Sequence, residues 1–251
     1  MSLPTLPTLS LSELARRFQW PAPPVARNPG WAAWNTEVDD ALILRYLYQN
    51  HQPRRHLEFG TWQGFGTCLC LESCAATVWT LNLPDGEAKA DGSWAYGHRV
   101  TDESSAPAGA VSVNFGQDEA GPRTYHRTDA ASYIGRIYRE KQLGHRVCQV
   151  YCDSRAWDTS AYTADFFDSV LVDGGHSPEV VISDSRKALS VLRPGGLILW
   201  HDVCPDPAII ASSTAVQGVM SALESLWPEL ERQCSALFWI DPSYILLGIK
   251  K

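Results

Sequence analysis

The sequence predicts an α/β protein built on a doubly wound, mostly parallel sheet that closes with a C-terminal antiparallel hairpin. From residue 55 onward, short apolar runs typical of strands alternate with helical patterns. The run at 167–172 is almost continuously apolar, as expected for a parallel strand covered on both faces. The last two apolar runs are separated only by Asp241-Pro242-Ser243, a spacing typical of a hairpin.

The chain divides into an N-terminal arm and one domain. Residues 1–35 are rich in Pro, Ser and Trp, and they predict an arm, with a short helix near 12–18, that packs on the domain itself or on a neighbour. Residues 36–251 form the predicted domain. It opens with an amphipathic helix at about 37–50, because apolar side chains recur there at i+4 spacing.

The remaining elements follow from the same patterns, with Gly and Pro at their boundaries. The predicted strands are 55–59, 77–83, 146–151, 167–172, 197–200, 236–240 and 244–249. The predicted helices are 67–74, 130–142, 178–192 and 211–227, the last one ended by Pro228. Arg193-Pro194-Gly195-Gly196 reads as the turn before the fifth strand. Residues 86–128 have weak signals and are too long for an ordinary connection, which favours an insertion or an active-site lid.

Composition and charge argue against nucleic-acid binding, membrane insertion, secretion and a disulfide framework. The net charge of −7 gives no electrostatic reason to expect a nucleic-acid partner. No apolar run reaches the ~20 residues of a membrane-spanning helix, and the N-terminus lacks the pattern of a secretory signal. The seven cysteines are an odd number without a C-x-x-C pair, which favours reduced thiols in a cytoplasmic protein.

Polar residues that follow the predicted strands mark the candidate site. In an open parallel sheet, ligands bind beyond the carboxyl ends of the strands. Five such places carry the polar side chains of interest: Glu58 to Gly66, Asn82 to Asp85, Asp153-Ser154, Asp173 to His176, and His201-Asp202.

The first of these places is a glycine loop of the form G-x-x-x-G-x-G, at Gly60, Gly64 and Gly66. It is neither the G-x-G-x-x-G of dinucleotide enzymes nor a phosphate-binding P-loop. Glu58, directly before the loop, would repel a pyrophosphate but complements the amino group and sulfonium of S-adenosylmethionine. The alternative is a plain strand-to-helix turn with an exposed glutamate.

Two further places suit the rest of such a cofactor. A ribose site of this kind has an acidic residue at the end of the second strand, where it binds the sugar hydroxyls. Asn82 occupies that position but is neutral, and Asp85 lies slightly beyond it, so either is a candidate. Asp153 and Ser154 are candidates for contacting the adenine, with a helix N-cap as the alternative.

Together these residues resemble a known family. The segments LEFGTWQGFGT (57–67), CDSRAWD (152–158) and FFDSVLVDGGHSPEVVISDSRKALSVLRPGGLILWHDV (166–203) are similar to class I S-adenosylmethionine-dependent methyltransferases. Within that class the chain most resembles the branch with macrocin-type O-methyltransferases and cephalosporin hydroxylase-like proteins. The resemblance covers about residues 54–250 and is weakest across 86–128.

The resemblance implies a seven-stranded sheet with a reversed last strand. It also implies that Glu58, Gly60 and Gly64 line the cofactor, and we count Thr61 and Gly66 of the same loop with them.

For metal-dependent members the resemblance implies that Asp173 and Asp202 hold Mg²⁺. It places His176 in the position of the catalytic base, three residues beyond Asp173, and His201 where the family often has a carboxylate. A divalent cation lowers the pKa of an acceptor hydroxyl and a histidine accepts its proton. Because Mg²⁺ prefers oxygen ligands, His201 favours Mn²⁺, Fe²⁺ or Zn²⁺, or no metal and an internal His201–Asp202 pair.

Three hypotheses about function result. The first is an S-adenosylmethionine-dependent O-methyltransferase of small molecules such as a sugar or a natural-product hydroxyl. In this hypothesis a Mg²⁺ or Mn²⁺ ion assists, and the acceptor pocket is formed by 86–128 and the arm. The second is an oxidoreductase of the cephalosporin hydroxylase-like kind, and the third is a non-catalytic binding protein on the same fold. The Trp-rich arm also suits packing on a second subunit, as in a homo-oligomer.

Overall fold

A computed structural model describes residues 6–23, 33–83, 98–99, 111–118, 121–127 and 134–251. The strands are β1 (Thr8–Ser10), β2 (Arg55–Phe59), β3 (Thr77–Asn82), β4 (His98–Arg99), β5 (Val111–Asp118), β6 (Gly121–Arg127), β7 (Val147–Tyr151), β8 (Phe167–Val172), β9 (Leu192–Trp200), β10 (Cys234–Asp241) and β11 (Leu246–Lys250). The α-helices are α1 (Leu11–Phe18), α2 (Ala41–His51), α3 (Phe65–Ser73), α4 (Arg136–Glu140), α5 (Pro178–Val191), α6 (Pro207–Ser212) and α7 (Thr214–Gln233). A π-helical turn (Thr36–Asp40) leads into α2.

The main sheet has the order β1-β10-β11-β9-β8-β2-β3-β7. Its strands pair in parallel except β11, which is antiparallel to both β10 and β9. The predicted doubly wound sheet with a reversed last strand and a closing hairpin is therefore confirmed. The seven predicted strands are all present, and the N-terminal arm adds an eighth.

That eighth strand is β1, which pairs with β10 from Thr8↔Trp239 to Ser10↔Asp241. It covers an edge of the sheet whose backbone groups would otherwise lack partners. The helix that follows buries Leu11 and Leu14 against α2 and the sheet. The described part of the arm thus packs on the domain itself.

Two apolar layers cover the two faces of the sheet, one with α1, α2 and α3 and the other with α5 and α7. In the central strand β8, Val170 and Val172 belong to one layer and Leu171 to the other. This alternation is the two-residue period of a strand that is buried on both faces.

The stretch 86–128 contains β4, β5 and β6, which form a separate antiparallel sheet in the order β4-β6-β5. The sequence signals there were too weak to predict these strands.

Two predicted boundaries are wrong. The Arg193–Gly196 turn lies inside β9 as a bulge, because the pairing with β8 jumps from Phe167↔Leu192 to Ser169↔Leu197. The last helix continues through Pro228 to Gln233. A proline removes one intrahelical hydrogen bond, and the complete burial of Leu230 in the next turn holds the helix against that loss. Among the described helices, none is long and apolar enough to cross a membrane.

Candidate active site

A cavity of about 810 Å³ opens at the carboxyl ends of β2, β8 and β9. This is the edge of the sheet at which open α/β folds bind ligands. Eight of the predicted site residues line it: Gly60, Thr61, Gly66, Asn82, Asp173, His176, His201 and Asp202.

The parallel ladder brings the polar residues of neighbouring strands together. The Asp173 N–H donates to the Phe59 carbonyl (3.0 Å), and the His201 N–H donates to the Val172 carbonyl (3.1 Å). Each bond continues the sheet for one residue beyond the strand end. Asp173 and His201 therefore lie side by side although they are far apart in the sequence.

Gly60 makes the closest backbone approach in the site. Its φ of +98° is in the left-handed region that favours glycine. A β-carbon here would lie 2.6 Å from the Asp173 carbonyl carbon and 2.8 Å from Gly174 Cα. The turn after β2 can contact the turn after β8 only because residue 60 has no side chain.

Asn82 fixes the outer part of the glycine loop. Its Oδ1 accepts from the Trp62 N–H (2.8 Å), and its Nδ2 donates to the Leu83 carbonyl (2.9 Å). Trp62 has a positive φ and is 40% exposed at the cavity wall. Asn82 thus shapes the loop in addition to lining the cavity.

Glu58 lies beneath the loop rather than on the cavity wall. The side chain is buried, and its Oε2 accepts from the hydroxyls of Thr67 and Thr80. Burial raises the pKa of Glu58 to about 8, although the two threonine hydroxyls act in the opposite direction. Thr80 Oγ1 in turn lies 2.7 Å from Thr61 Oγ1, which connects Glu58 to a hydroxyl of the cavity wall.

The raised pKa of Glu58 has a measurable consequence for stability. The folded protein binds the Glu58 proton more tightly than the unfolded chain, so this group lowers the free energy of unfolding as pH rises from about 4.5 to about 8. We expect Glu58→Gln to gain stability relative to wild type over that interval, as measured by thermal melts between pH 5 and 8.5. The pKa of Glu72 is lowered by hydrogen bonds from Lys141 and Arg45, so Glu72→Gln should show no such gain. An unchanged difference across pH would contradict a buried, protonated Glu58.

Three other predicted cofactor residues that the structure describes, Gly64, Asp153 and Ser154, do not line the cavity. A β-carbon on Gly64 would lie 2.7 Å from Tyr138 Cδ1, so this glycine permits packing against α4. Asp153 caps the short 3₁₀ turn that begins at Ser154 and forms an ion pair with Arg155 (2.6 Å), which is the N-cap arrangement that the sequence left open. Asp85 lies outside the described residues.

A cluster of histidines and carboxylates forms the polar end of the cavity. His176 Nε2 lies 2.9 Å from Asp202 Oδ2. His201 Nδ1 lies 3.3 Å from Asp173 Oδ1 and 3.6 Å from Asp202 Oδ2. The four residues predicted for catalysis and metal binding are thus connected in one cluster, through Asp202 and His201.

The sequence did not single out Asp40, which completes this cluster. Its carboxylate is fully buried, with Oδ2 3.3 Å from His201 Nε2 and Oδ1 accepting from the Tyr244 N–H (3.1 Å). The sequence does contain one indication of its role. Asp40 lies four residues before Leu44, so it continues the buried apolar face of α2 toward the start of the helix. A charged residue on such a face requires a partner.

The negative charge of the cluster is partly compensated by its histidines. Burial disfavours the imidazolium of His201, but the adjacent Asp173 and Asp202 carboxylates raise its pKa well above the usual value. Burial likewise disfavours the carboxylate of Asp202, but His201 and His176 hold its pKa well below the usual range. Without a cation, the protonated His201 compensates part of the charge of the surrounding carboxylates.

Three of these residues could hold a metal ion. One donor atom from each of Asp173, His201 and Asp202 lies within 4.8 Å of the other two. Bonds of about 2.0–2.6 Å to one ion allow such separations. Two carboxylates and an imidazole are a donor set that divalent ions bind.

Three helices supply cavity walls that the sequence did not predict. The turn before α2, together with α2 and α3, contributes Thr36, Leu44, Phe65 and Leu69, and the first turns of α7 contribute Thr214, Ala215 and Gly218. A β-carbon on Gly218 would overlap the His176 carbonyl oxygen. This close approach sets the position of the His176 backbone. No local sequence pattern predicts that Gly218 and His176 are in contact.

Comparisons with known proteins agree with this geometry. A family model described as a methyltransferase domain matches residues 57–203, more than half of the chain. A search of curated proteins finds no match.

Solved structures share the fold. The O-methyltransferase from Bacillus cereus, in complex with S-adenosylhomocysteine, has a TM-score of 0.52 and 18% identity, over 87% of this chain and 84% of that one. A methyltransferase from Podospora anserina, bound to the same compound, has a TM-score of 0.54 and 12% identity, over 98% of this chain and 91% of that one. The predicted class I fold is confirmed, and the chain belongs to the methyltransferase domain family.

Proposed function

We propose that the protein transfers a methyl group from S-adenosylmethionine to a hydroxyl group of a small molecule. The observation that supports this most is a single cavity lined at one end by the glycine loop after β2 and at the other by His176, Asp173 and Asp202. The proposed cofactor site and proton acceptor thereby share one cavity. The volume of about 810 Å³ is within the usual range of small-molecule pockets, ~300–1,000 Å³.

In this proposal, the loop side of the cavity binds the cofactor through Gly60, Thr61 and Gly66, with Asn82 and Asp173 at its margins. Glu58 acts one layer deeper, because it holds Thr80, which in turn holds the Thr61 hydroxyl in place. When bound, S-adenosylmethionine supplies the electrophilic methyl group. The roles of Gly64, Asp85, Asp153 and Ser154 in cofactor binding stay predictions.

His176 is the proposed general base. A carboxylate only accepts hydrogen bonds, so the 2.9 Å contact with Asp202 Oδ2 requires His176 Nε2 to carry a proton. That tautomer leaves Nδ1 as the proton acceptor of the ring. Since 41% of the side chain is exposed, it is accessible to an acceptor hydroxyl.

Asp173, His201 and Asp202 would hold a divalent cation, whose chemistry there is to lower the pKa of the acceptor hydroxyl. Their own contribution is to orient that hydroxyl next to His176, because Asp202 contacts both His176 and His201. Positioning of this kind supplies much of the rate in a displacement reaction.

The acceptor is proposed to enter beside the segment 84–133. The chain enters that segment after Asn82 and Leu83 and returns at Gly135, whose N–H donates to the Trp62 carbonyl (2.7 Å). Both ends therefore lie at the glycine loop, which supports a role in covering the acceptor. Leu44, Phe65 and Leu69 give this cavity apolar walls suited to a small molecule.

Binding of S-adenosylhomocysteine tests the cofactor assignment. At a ligand concentration 100-fold above Kd, the folded state gains about 2.7 kcal/mol, which corresponds to a rise in Tm of about 5–10 °C for a domain of this size. Thermal melts of the full chain with and without the compound measure this rise. An unchanged Tm at millimolar concentration, in a protein with a cooperative melt, would contradict the proposal.

A further inference from the structure

The two ring nitrogens of His201 face different surroundings. Nδ1 faces the cavity-lining carboxylates of Asp173 and Asp202, at 3.3 and 3.6 Å. Nε2 faces away from them, toward Asp40 at 3.3 Å. His201 therefore bridges the candidate cation site and a carboxylate that does not line the cavity.

Burial and a second hydrogen bond hold Asp40 in the position that contacts Nε2. The side chain is fully buried, and its second oxygen accepts the Tyr244 N–H from the connection between β10 and β11. The residue itself closes the π-helical turn before α2. Two parts of the fold thus fix one carboxylate behind the imidazole.

When a cation occupies the space beside Asp173 and Asp202, the Asp40 carboxylate determines which nitrogen of the neutral His201 ring carries the proton. Because Asp40 can only accept, Nε2 must carry the proton and Nδ1 must carry the lone pair. The lone pair is then directed at the space beside Asp173 Oδ1 and Asp202 Oδ2. A buried carboxylate that orients a histidine in this way is a recurrent feature of metal sites.

We propose that Asp40 is a positioning residue that presents His201 Nδ1 as a nitrogen ligand, so that the site prefers a divalent transition ion such as Mn²⁺ over Mg²⁺. This inference deepens the proposed function, since it rests on a cation being held by Asp173, His201 and Asp202. Imidazole suits first-row transition ions, whereas Mg²⁺ favours a shell of oxygen ligands. Asp40 itself does not touch the ion or the substrate.

Titration of the chelator-treated full chain with Mn²⁺ tests this inference. Electron paramagnetic resonance follows the signal of free Mn²⁺, which decreases as the ion binds, and Mg²⁺ is added as the competitor. Wild type is expected to bind Mn²⁺, and Mg²⁺ at an equal concentration should not displace it.

Asp40→Asn is the informative variant. The amide oxygen of the new side chain accepts from the Tyr244 N–H, so its NH₂ group faces His201 Nε2. Because that NH₂ group can only donate, the neutral imidazole of His201 must carry its proton on Nδ1. We expect Mn²⁺ affinity to fall about 10–100-fold. Asp39→Asn is the matched control, because the neighbouring Asp39 carboxylate accepts from the Asn35 N–H (2.8 Å) in the turn before α2, and its Mn²⁺ affinity should equal that of wild type.

A second variant keeps the inference testable if Asp40→Asn folds poorly. His201→Asn replaces the nitrogen ligand by an amide oxygen, and it should reduce the preference for Mn²⁺ over Mg²⁺. Equal Mn²⁺ affinity in Asp40→Asn and Asp39→Asn, or no Mn²⁺ binding by wild type, would overturn the inference. The shift of Tm with S-adenosylhomocysteine, measured on the same samples, reports separately on the proposed function.

Discussion

The His176→Ala variant is expected to transfer methyl groups about 10²–10⁴-fold more slowly than wild type, the usual contribution of a general base. Removing the imidazole leaves the acceptor hydroxyl without a nearby group to take its proton, because the neighbouring Asp173, His201 and Asp202 are engaged with one another. The measurement is transfer of tritium from labelled S-adenosylmethionine to a panel of sugars and phenols. Binding of S-adenosylhomocysteine should stay as in wild type.

His145→Ala is the control for this prediction. His145 lies in an exposed 3₁₀ turn, where its ring contacts the Gln142 carbonyl, and it does not line the cavity. Its transfer rate should match that of wild type. If His176→Ala also retained the full rate, His176 would not be the base.

Gly60→Ala is expected to abolish binding of S-adenosylhomocysteine and to lower the free energy of unfolding by about 2–5 kcal/mol. A non-glycine residue in a left-handed conformation costs about 1–2 kcal/mol, and forcing atoms into a packed space adds about 1–3 kcal/mol. The backbone of Asp173 and Gly174 would have to move away from the loop, since they occupy the position of the new β-carbon. Chemical denaturation and calorimetric titration measure the two effects.

Gly144→Ala is the matched control. A β-carbon on Gly144 meets no heavy atom within 4 Å, and its backbone is not in the left-handed region. We expect its stability to lie within about 0.5 kcal/mol of wild type, with unchanged ligand binding. Normal binding of S-adenosylhomocysteine by Gly60→Ala would show that the cofactor does not use this loop.

Most of the fold could be predicted because the central strands are buried on both faces. Their apolar runs, such as 167–172, are unambiguous, and the helices between them have clear start and stop signals. β1 escaped prediction since Thr8–Ser10 is short and polar at its start, and it is a strand only because β10 offers an unpaired edge. Local sequence does not encode that edge.

The part of the candidate site that lies at the carboxyl ends of the strands could be predicted from the sequence. Asp173, His176, His201 and Asp202 directly follow strands, so their proximity follows from parallel topology. Asp40 follows no strand, and it meets His201 only through the packing of α2 against the sheet, across 161 residues of sequence. Contacts of that kind depend on helix placement, which periodicity does not specify.

The orientation of Glu58 was also beyond the sequence. Its position before the glycine loop suggested a charge facing the cofactor, but the side chain points beneath the loop toward Thr67 and Thr80. In a strand, successive side chains alternate between the two faces of the sheet, and the layer that covers each face decides which of them are buried. The proposal of S-adenosylmethionine therefore rests on the residues that line the cavity and on its volume, and not on the charge of Glu58.

The most direct test of the central claim is the electron density of crystals grown with S-adenosylhomocysteine. We expect density in the cavity against Gly60, Thr61 and Asp173, with the thioether sulfur toward His176. Ligand bound elsewhere on the protein, with this cavity filled only by solvent at saturating concentration, would contradict it.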